Sequence, residues 1–222
     1  MSSLYELLKI KVNEWRTMDY PHAEYSTIGE ILEWADNPEG SGFRLRPPQH
    51  RALETYWYLR LIEGTPHITD LYWRLFPHKS DFLAALGLKH EDIKTFVLDH
   101  GTEALLQRIQ TDDQFVRQFR LQALRETLTL SYPSYILALA MGAGKTALIG
   151  AIIATEYAMA SDYPEGPFVQ NALVFAPGTT IIESLRELAE IPYERILPPR
   201  FYKRFAASVK LAFTRKAFGV TH

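Results

Sequence analysis

The sequence predicts an α/β protein in which a mostly helical region, about residues 1–130, precedes a parallel-sheet region over about 131–222. Three observations predict it. Apolar residues recur at helical spacing through the first half. From Ser131 onward, short apolar runs bounded by proline and glycine alternate with helical patterns, in the order strand, helix, strand, helix, strand. Between the first such run and the helix after it stands a glycine-rich turn.

In chain order, Tyr5–Trp15 reads as a short helix. Thr27 and Glu30 have capping-box spacing ahead of Ile28, Ile31 and Leu32, which predicts a second helix start. The stretch 37–42 is a loop by composition. A helix is expected over Pro48–Glu63, and Thr65-Pro66 opens another whose stripe is Ile68, Leu71, Tyr72, Leu75 and Phe76. Short helices are expected over Asp81–Leu86 and Glu91–Leu98. Thr111 and Gln114 give a second capping box, opening a helix with Val116, Phe119 and Ala123 inward. Tyr135–Leu139, bounded by Pro133 and Gly142, reads as a buried strand, followed by a helix marked by Leu148, Ile149, Ile152, Ile153 and Tyr157. Ala172–Ala176 is the second strand. Thr180 and Glu183 cap a helix with Ile182, Leu185 and Leu188 on one face, and Val209–Phe213 is a candidate third strand.

Composition narrows the function classes. Of 222 residues, 47% are hydrophobic and 23% charged, the balance of a folded globular chain and not a disordered one. The absence of cysteine excludes a disulfide scaffold, a thiolate metal site and a cysteine nucleophile, and fits a reducing cytoplasm. A formal net charge of −2 excludes nucleic-acid binding by bulk charge. Glu6, Lys9 and Lys11 interrupt the N-terminal apolar stretch, and Ile136–Met141 falls far short of a membrane span, so the expected location is cytoplasmic.

The sharpest motif is Met141-Gly142-Ala143-Gly144-Lys145-Thr146, between a candidate strand and a helix. A polyphosphate requires inward-pointing backbone N–H groups, and glycines let the backbone approach it. The helix N-terminus adds a positive dipole end. In this reading Lys145 reaches the β- and γ-phosphates of ATP and the Thr146 hydroxyl ligates Mg²⁺. The strict pattern has glycine at position 139, where this chain has Leu139. A plain glycine turn followed by an ordinary Lys-Thr pair is the competing reading.

Leu139-Ala140-Met141-Gly142-Ala143-Gly144-Lys145-Thr146 resembles the first motif, Met-Ala-Thr-Gly-x-Gly-Lys-Thr, of superfamily 2 (DEAD/DEAH-box) helicases of the restriction-enzyme type, with Met141 where threonine is usual. Leu45-Arg46-Pro47-Pro48-Gln49 resembles the upstream Leu-Arg-x-Tyr-Gln segment of that family, and Val174–Thr180 resembles its next motif. The segment from Ile196-Leu197-Pro198-Pro199-Arg200 is similar to type III restriction subunits. The resemblance implies a RecA-like motor lobe that holds ATP and Mg²⁺ and moves along DNA, expected to be duplex, in restriction-modification with a modification or specificity subunit as further partner. It implies that Gln49 reads adenine, that Met141, Gly142, Ala143, Gly144, Lys145 and Thr146 form the cofactor site with Lys145 catalytic and Thr146 on the metal, and that Pro177, Gly178 and Thr179 touch the nucleic-acid backbone. Gln49 and Lys145 stand 145 − 49 = 96 positions apart, against a few tens in the family, which makes the helices between about 65 and 127 an insertion.

Hydrolysis in that family uses a strand ending in Asp-Glu, to support Mg²⁺ and place the attacking water. The sequence carries none: Glu91-Asp92 does not follow a strand, Asp112-Asp113 sits at a helix cap, and no aspartate follows Ala176. There is no second lobe and no nuclease pattern. The expectation is therefore the N-terminal piece of a longer helicase or translocase, weakly active or inactive alone as an ATP hydrolase. Two other classes stay open: a P-loop ATPase or kinase not acting on DNA, and a non-catalytic module that binds a partner through its helical half. From Ile191 to His222, Arg195, Arg200, Lys203, Arg204, Lys210, Arg215 and Lys216 face only Glu194, a local charge of 7 − 1 = +6 that suits a phosphate backbone or a solvated surface. Arg117, Arg120 and Arg125 read as the solvated face of one helix. The scattered histidines lack zinc spacing. Tyr56–Tyr58 and Tyr72-Trp73 read as core.

Overall fold

A computed structural model describes residues 3–36, 45–175 and 185–213. Among them the regular elements are helical: α1 Leu4–Thr17, α2 Thr27–Asp36, α3 Pro47–Trp57 continued by a π-turn over Tyr58–Ile62, α4 Ile68–Leu75, α5 Lys79–Ala85, α6 Glu91–Thr111, α7 Asp113–Phe119, α8 Gln122–Leu128, α9 Lys145–Asp162, 3₁₀ turns over Leu185–Glu190 and Tyr193–Arg195, and α10 Pro199–Ser208. No helix is long and apolar enough to cross a membrane among the described residues.

The expected parallel sheet, and with it the RecA-like P-loop lobe, is overturned: no described residue lies in a strand. Tyr135–Leu139, Ala172–Phe175 and Val209–Phe213 run outside any ladder. A strand is stable only when a neighbour takes its N–H and C=O groups and a packed layer covers its side chains. Neither happens here, and Ile136, Leu173 and Phe175 stand 91%, 78% and 84% exposed. The apolar runs were legible; their pairing was inferred from pattern alone.

The chain forms two units, one drawn from Met1–Arg16 and Trp57–Leu137, the other from Thr17–Tyr56 and Ala138–His222. In the first, the stripe of α4 packs Ile68, Tyr72 and Leu75 against a core of Phe76, Phe82, Ile93, Val97, Leu105, Leu106, Ile109, Phe115, Val116 and Leu128, and Leu71 is fully buried. α6 runs beyond its expected end at Leu98 because the chain bends at Gly101 (φ 90°, ψ 171°) and resumes; a side chain would strain that φ. The second capping box gives way to Asp112, whose Oδ1 accepts from the Phe115 N–H, while Thr111 Oγ1 donates back to Gln107 O. Arg120 adopts a left-handed conformation (φ 56°) at the end of α7. It therefore separates Arg117 from Arg125, and Ala123 is exposed instead of inward. Arg125 is no solvated arginine: it donates to Gln110 O and pairs with Asp113.

In the second unit α9 packs against α2, α10 and the Leu185–Glu190 turn. Its deeply buried positions are mainly small, Ala151, Ala154, Ala158 and Gly150, whereas Ile149, Ile152, Ile153 and Tyr157 are half-buried. Close approach explains the choice: a Cβ on Gly150 would lie 2.5 Å from Ile191 Cδ1 and 3.1 Å from the Tyr193 hydroxyl. The Thr27/Glu30 capping box is also put to other use. Thr27 Oγ1 donates to Asp162 Oδ2, and Glu30 pairs with Arg200, so both residues fasten α2 to neighbouring helices. The expected loop at 37–42 and the helix start at Thr180–Glu183 lie outside the described residues.

Candidate functional site

The glycine-rich turn lies wholly within the second unit. Ala143 N–H donates to Ala140 O at 3.2 Å, closing a tight turn. Gly142 and Gly144 have φ of 74° and 76°, the left-handed region where a side chain costs about 1–2 kcal/mol. α9 begins at Lys145, with Gly144 at its N-cap and Leu148 N–H donating to Gly144 O. The amides of Lys145, Thr146 and Ala147 belong to the first turn, where a helix supplies them no acceptor. The first turn, with Lys145 exposed, Thr146 half-buried and Met141 95% exposed, is thus open to solvent. Gly142 has open space where a Cβ would sit.

The start of α3 braces this turn. Gln49 is 1% exposed; its Nε2 donates to Gly144 O at 2.9 Å, and its Oε1 accepts from Arg46 N–H at 2.7 Å. Arg46 Nη1 donates to Gly142 O at 3.1 Å. Fit at Gly144 is close: a Cβ there would lie 2.2 Å from Gln49 Nε2. The structure thus joins the two segments that the sequence singled out 96 positions apart, and gives Gln49 a definite task. Its amide is committed on both sides to backbone, beneath the turn, where an adenine-reading glutamine was expected. Arg46 stood in the quoted segment without a role; its place three residues before Gln49, immediately ahead of α3 with its carbonyl accepting from the Gln49 and His50 N–H groups, is the signal that puts both on the same turn of backbone.

At the end of the left-handed Gly142–Gly144 turn, the amides of Lys145, Thr146 and Ala147, which have no helical acceptor, thus form a candidate anion cradle, with two cationic residues on it, Arg46 bonded to Gly142 O and the exposed Lys145. These donors fit a polyphosphate. For Mg²⁺ the fit is partial: Thr146 offers a hydroxyl, and among the described residues no cluster of three or more metal-ligating side chains occurs. Pro177, Gly178 and Thr179 lie outside the described residues, as do Arg215 and Lys216. Of the basic residues expected to form a patch, Arg200 is paired with Glu30 and Asp162, and Arg204 with Asp162, so part of that charge is neutralised within the unit.

Two buried carboxylates lie further along α9 and α3. Glu156 of α9 accepts from the Tyr56 hydroxyl and from Val169 N–H, the latter at 2.9 Å. Glu54 of α3, fully buried, accepts from the Tyr20 hydroxyl at 2.7 Å and faces His50. The sequence reading passed over His50 and Glu54; a His-x-x-x-Glu pair on the helix that carries Gln49 was the available signal. Protein-family models, curated proteins and solved structures provide no match to this chain.

Proposed function

We propose that the chain binds the polyphosphate of ATP at residues 142–146, with the loop amides and Lys145 on the phosphates and the Thr146 hydroxyl available to a phosphate-bound Mg²⁺. Bound ATP would bring the charge and the transferable phosphate. The protein's own contribution is to hold the cradle open and aligned, through Gln49 on Gly144 and Arg46 on Gly142. That pair of long-range hydrogen bonds carries the reading: a merely convenient glycine turn has no need of a buried glutamine stapled to its backbone from 95 residues away. The reading stops at nucleotide binding. The sequence supplies no Asp-Glu pair to place an attacking water; of the residues expected to touch DNA, Pro177, Gly178 and Thr179 lie outside the described ones, and Arg200 and Arg204 are paired within the unit.

The test is a thermal-shift titration with ATP and Mg²⁺. A ligand at 100 times its Kd adds about 2.7 kcal/mol of stability. Wild-type protein is expected to gain stability with ATP, and Lys145→Ala, at an exposed position, to keep its unliganded stability and lose the gain. A wild-type chain unmoved by saturating ATP, or a Lys145→Ala chain shifted as much as wild type, would overturn the proposal.

A further inference from the structure

His50 follows Gln49 on α3 and is 2% exposed. Its Nε2 lies 2.9 Å from the carbonyl oxygen of Leu32 on α2. A carbonyl only accepts, so Nε2 carries a proton. Its Nδ1 lies 3.4 Å from Glu54 Oε2 on α3 and 3.6 Å from Asp36 Oδ1 on α2. A neutral ring would turn a lone pair toward two carboxylates; an imidazolium turns an N–H. Both ring nitrogens thus face acceptors alone, and the charged form matches the site. His50 N–H also donates to Arg46 O at 3.0 Å, in the same helical turn as Gln49.

We propose that His50 is a positioning residue for the phosphate loop: its imidazolium, held between Glu54 and Asp36 and bonded to Leu32, locks the start of α3 against α2, and so keeps Gln49 on Gly144 and Arg46 on Gly142. Loss of its proton leaves a buried carboxylate beside a neutral ring, and the turn carrying Gln49 loosens. The assignment of the loop to phosphate rests on the reading above; the mechanical link from His50 to Gln49 does not. The electrostatics agree in sign. Burial pushes the imidazolium toward losing its proton, but the hydrogen bond and charge of Glu54, the Leu32 carbonyl and Asp36 outweigh it and raise the pKa above its usual range.

The experiment is nitrogen-15 NMR of the whole chain between pH 5.5 and 9, following the His50 ring nitrogens and the Gln49 side-chain amide. The expected result is a doubly protonated His50 at pH 6, a midpoint above about 6.5, and a Gln49 amide that shifts with the same midpoint. Asp36→Asn, at a side chain 54% exposed and so compatible with folding, should lower both midpoints together. A His50 ring with a single proton at pH 6, or a Gln49 amide that stays still while His50 titrates, would overturn the proposal. Inorganic tripolyphosphate added afterwards separates the two claims: if it fails to bind while Gln49 still follows His50, the phosphate reading fails and the positioning role stands.

Discussion

The two units bury different kinds of residue. The first closes on an apolar core, from Phe76 through Leu105 and Ile109 to Leu128. Every buried polar or charged side chain among the described residues lies in the second: Thr27, Gln49, His50, Glu54, Thr155 and Glu156. Apolar packing tolerates exchange of one aliphatic side chain for another, whereas a buried polar group is stable only with its partner in place. The second unit is therefore held in a geometry that its donors and acceptors dictate, and the glycine turn at 142–144 is bonded directly into it. That is the arrangement expected where a loop has to keep one shape.

The largest effects should expose this contrast. Glu54→Ala strands the His50 charge in the interior and should cost about 3–5 kcal/mol. Leu105→Ala in the first unit should cost about 2–5 kcal/mol through its cavity alone. Urea denaturation measures both. Only the Glu54 change should depend on pH, being less costly at pH 9 than at pH 6, where His50 is charged. Equal costs at both pH values would remove the distinction between the units.

Next in size is a pair of glycine substitutions. Gly142→Ala meets open space and bears only the left-handed strain, about 1–2 kcal/mol. Gly144→Ala bears the same strain and must also drive Gln49 from its position, so it should be the more costly of the two. Matching losses in the two variants would show that Gln49 does not brace the turn.

The pH dependence is smaller. Because the folded pKa of His50 is raised, its contribution is fully present below about pH 6.5 and is lost as pH rises through the folded value. Amide hydrogen exchange, corrected for its intrinsic pH dependence, should show protection falling with pH in α2 and α3 more than in α6. Uniform change across these helices would contradict it. The smallest expected effect is Arg200→Ala, whose half-exposed pairs with Glu30 and Asp162 should be worth under about 1 kcal/mol and weaken further in salt.

Much of the helical content was legible because its cause is local. The stripe from Ile68 to Phe76 and the turn signals around Gly142 act through neighbours in sequence. What failed was what depends on partners. Tyr135–Leu139 has the composition of a strand, yet a strand is defined by its neighbour, and none of the described residues pairs with it. The capping spacings at Thr27 and Thr111 were real, but Asp162 and Gln107 compete for those hydroxyls. On α9 the isoleucines marked the apolar character of the helix, while the alanines and Gly150 are what the neighbours approach. At the site, the glycine turn and Gln49 were both visible in the sequence, and their meeting is the principal addition made by the structure. His50 and Glu54 were missed because a buried ion pair has no apolar signature.

The most direct measurement is a backbone amide map recorded while inorganic tripolyphosphate is added to the nitrogen-15-labelled chain. Saturable shifts are expected, confined to Gly142 through Ala147 and to the side chains of Gln49 and Arg46, and absent in Lys145→Ala. Shifts scattered over the exposed lysines and arginines, with residues 142–147 unmoved, would contradict phosphate binding at this turn.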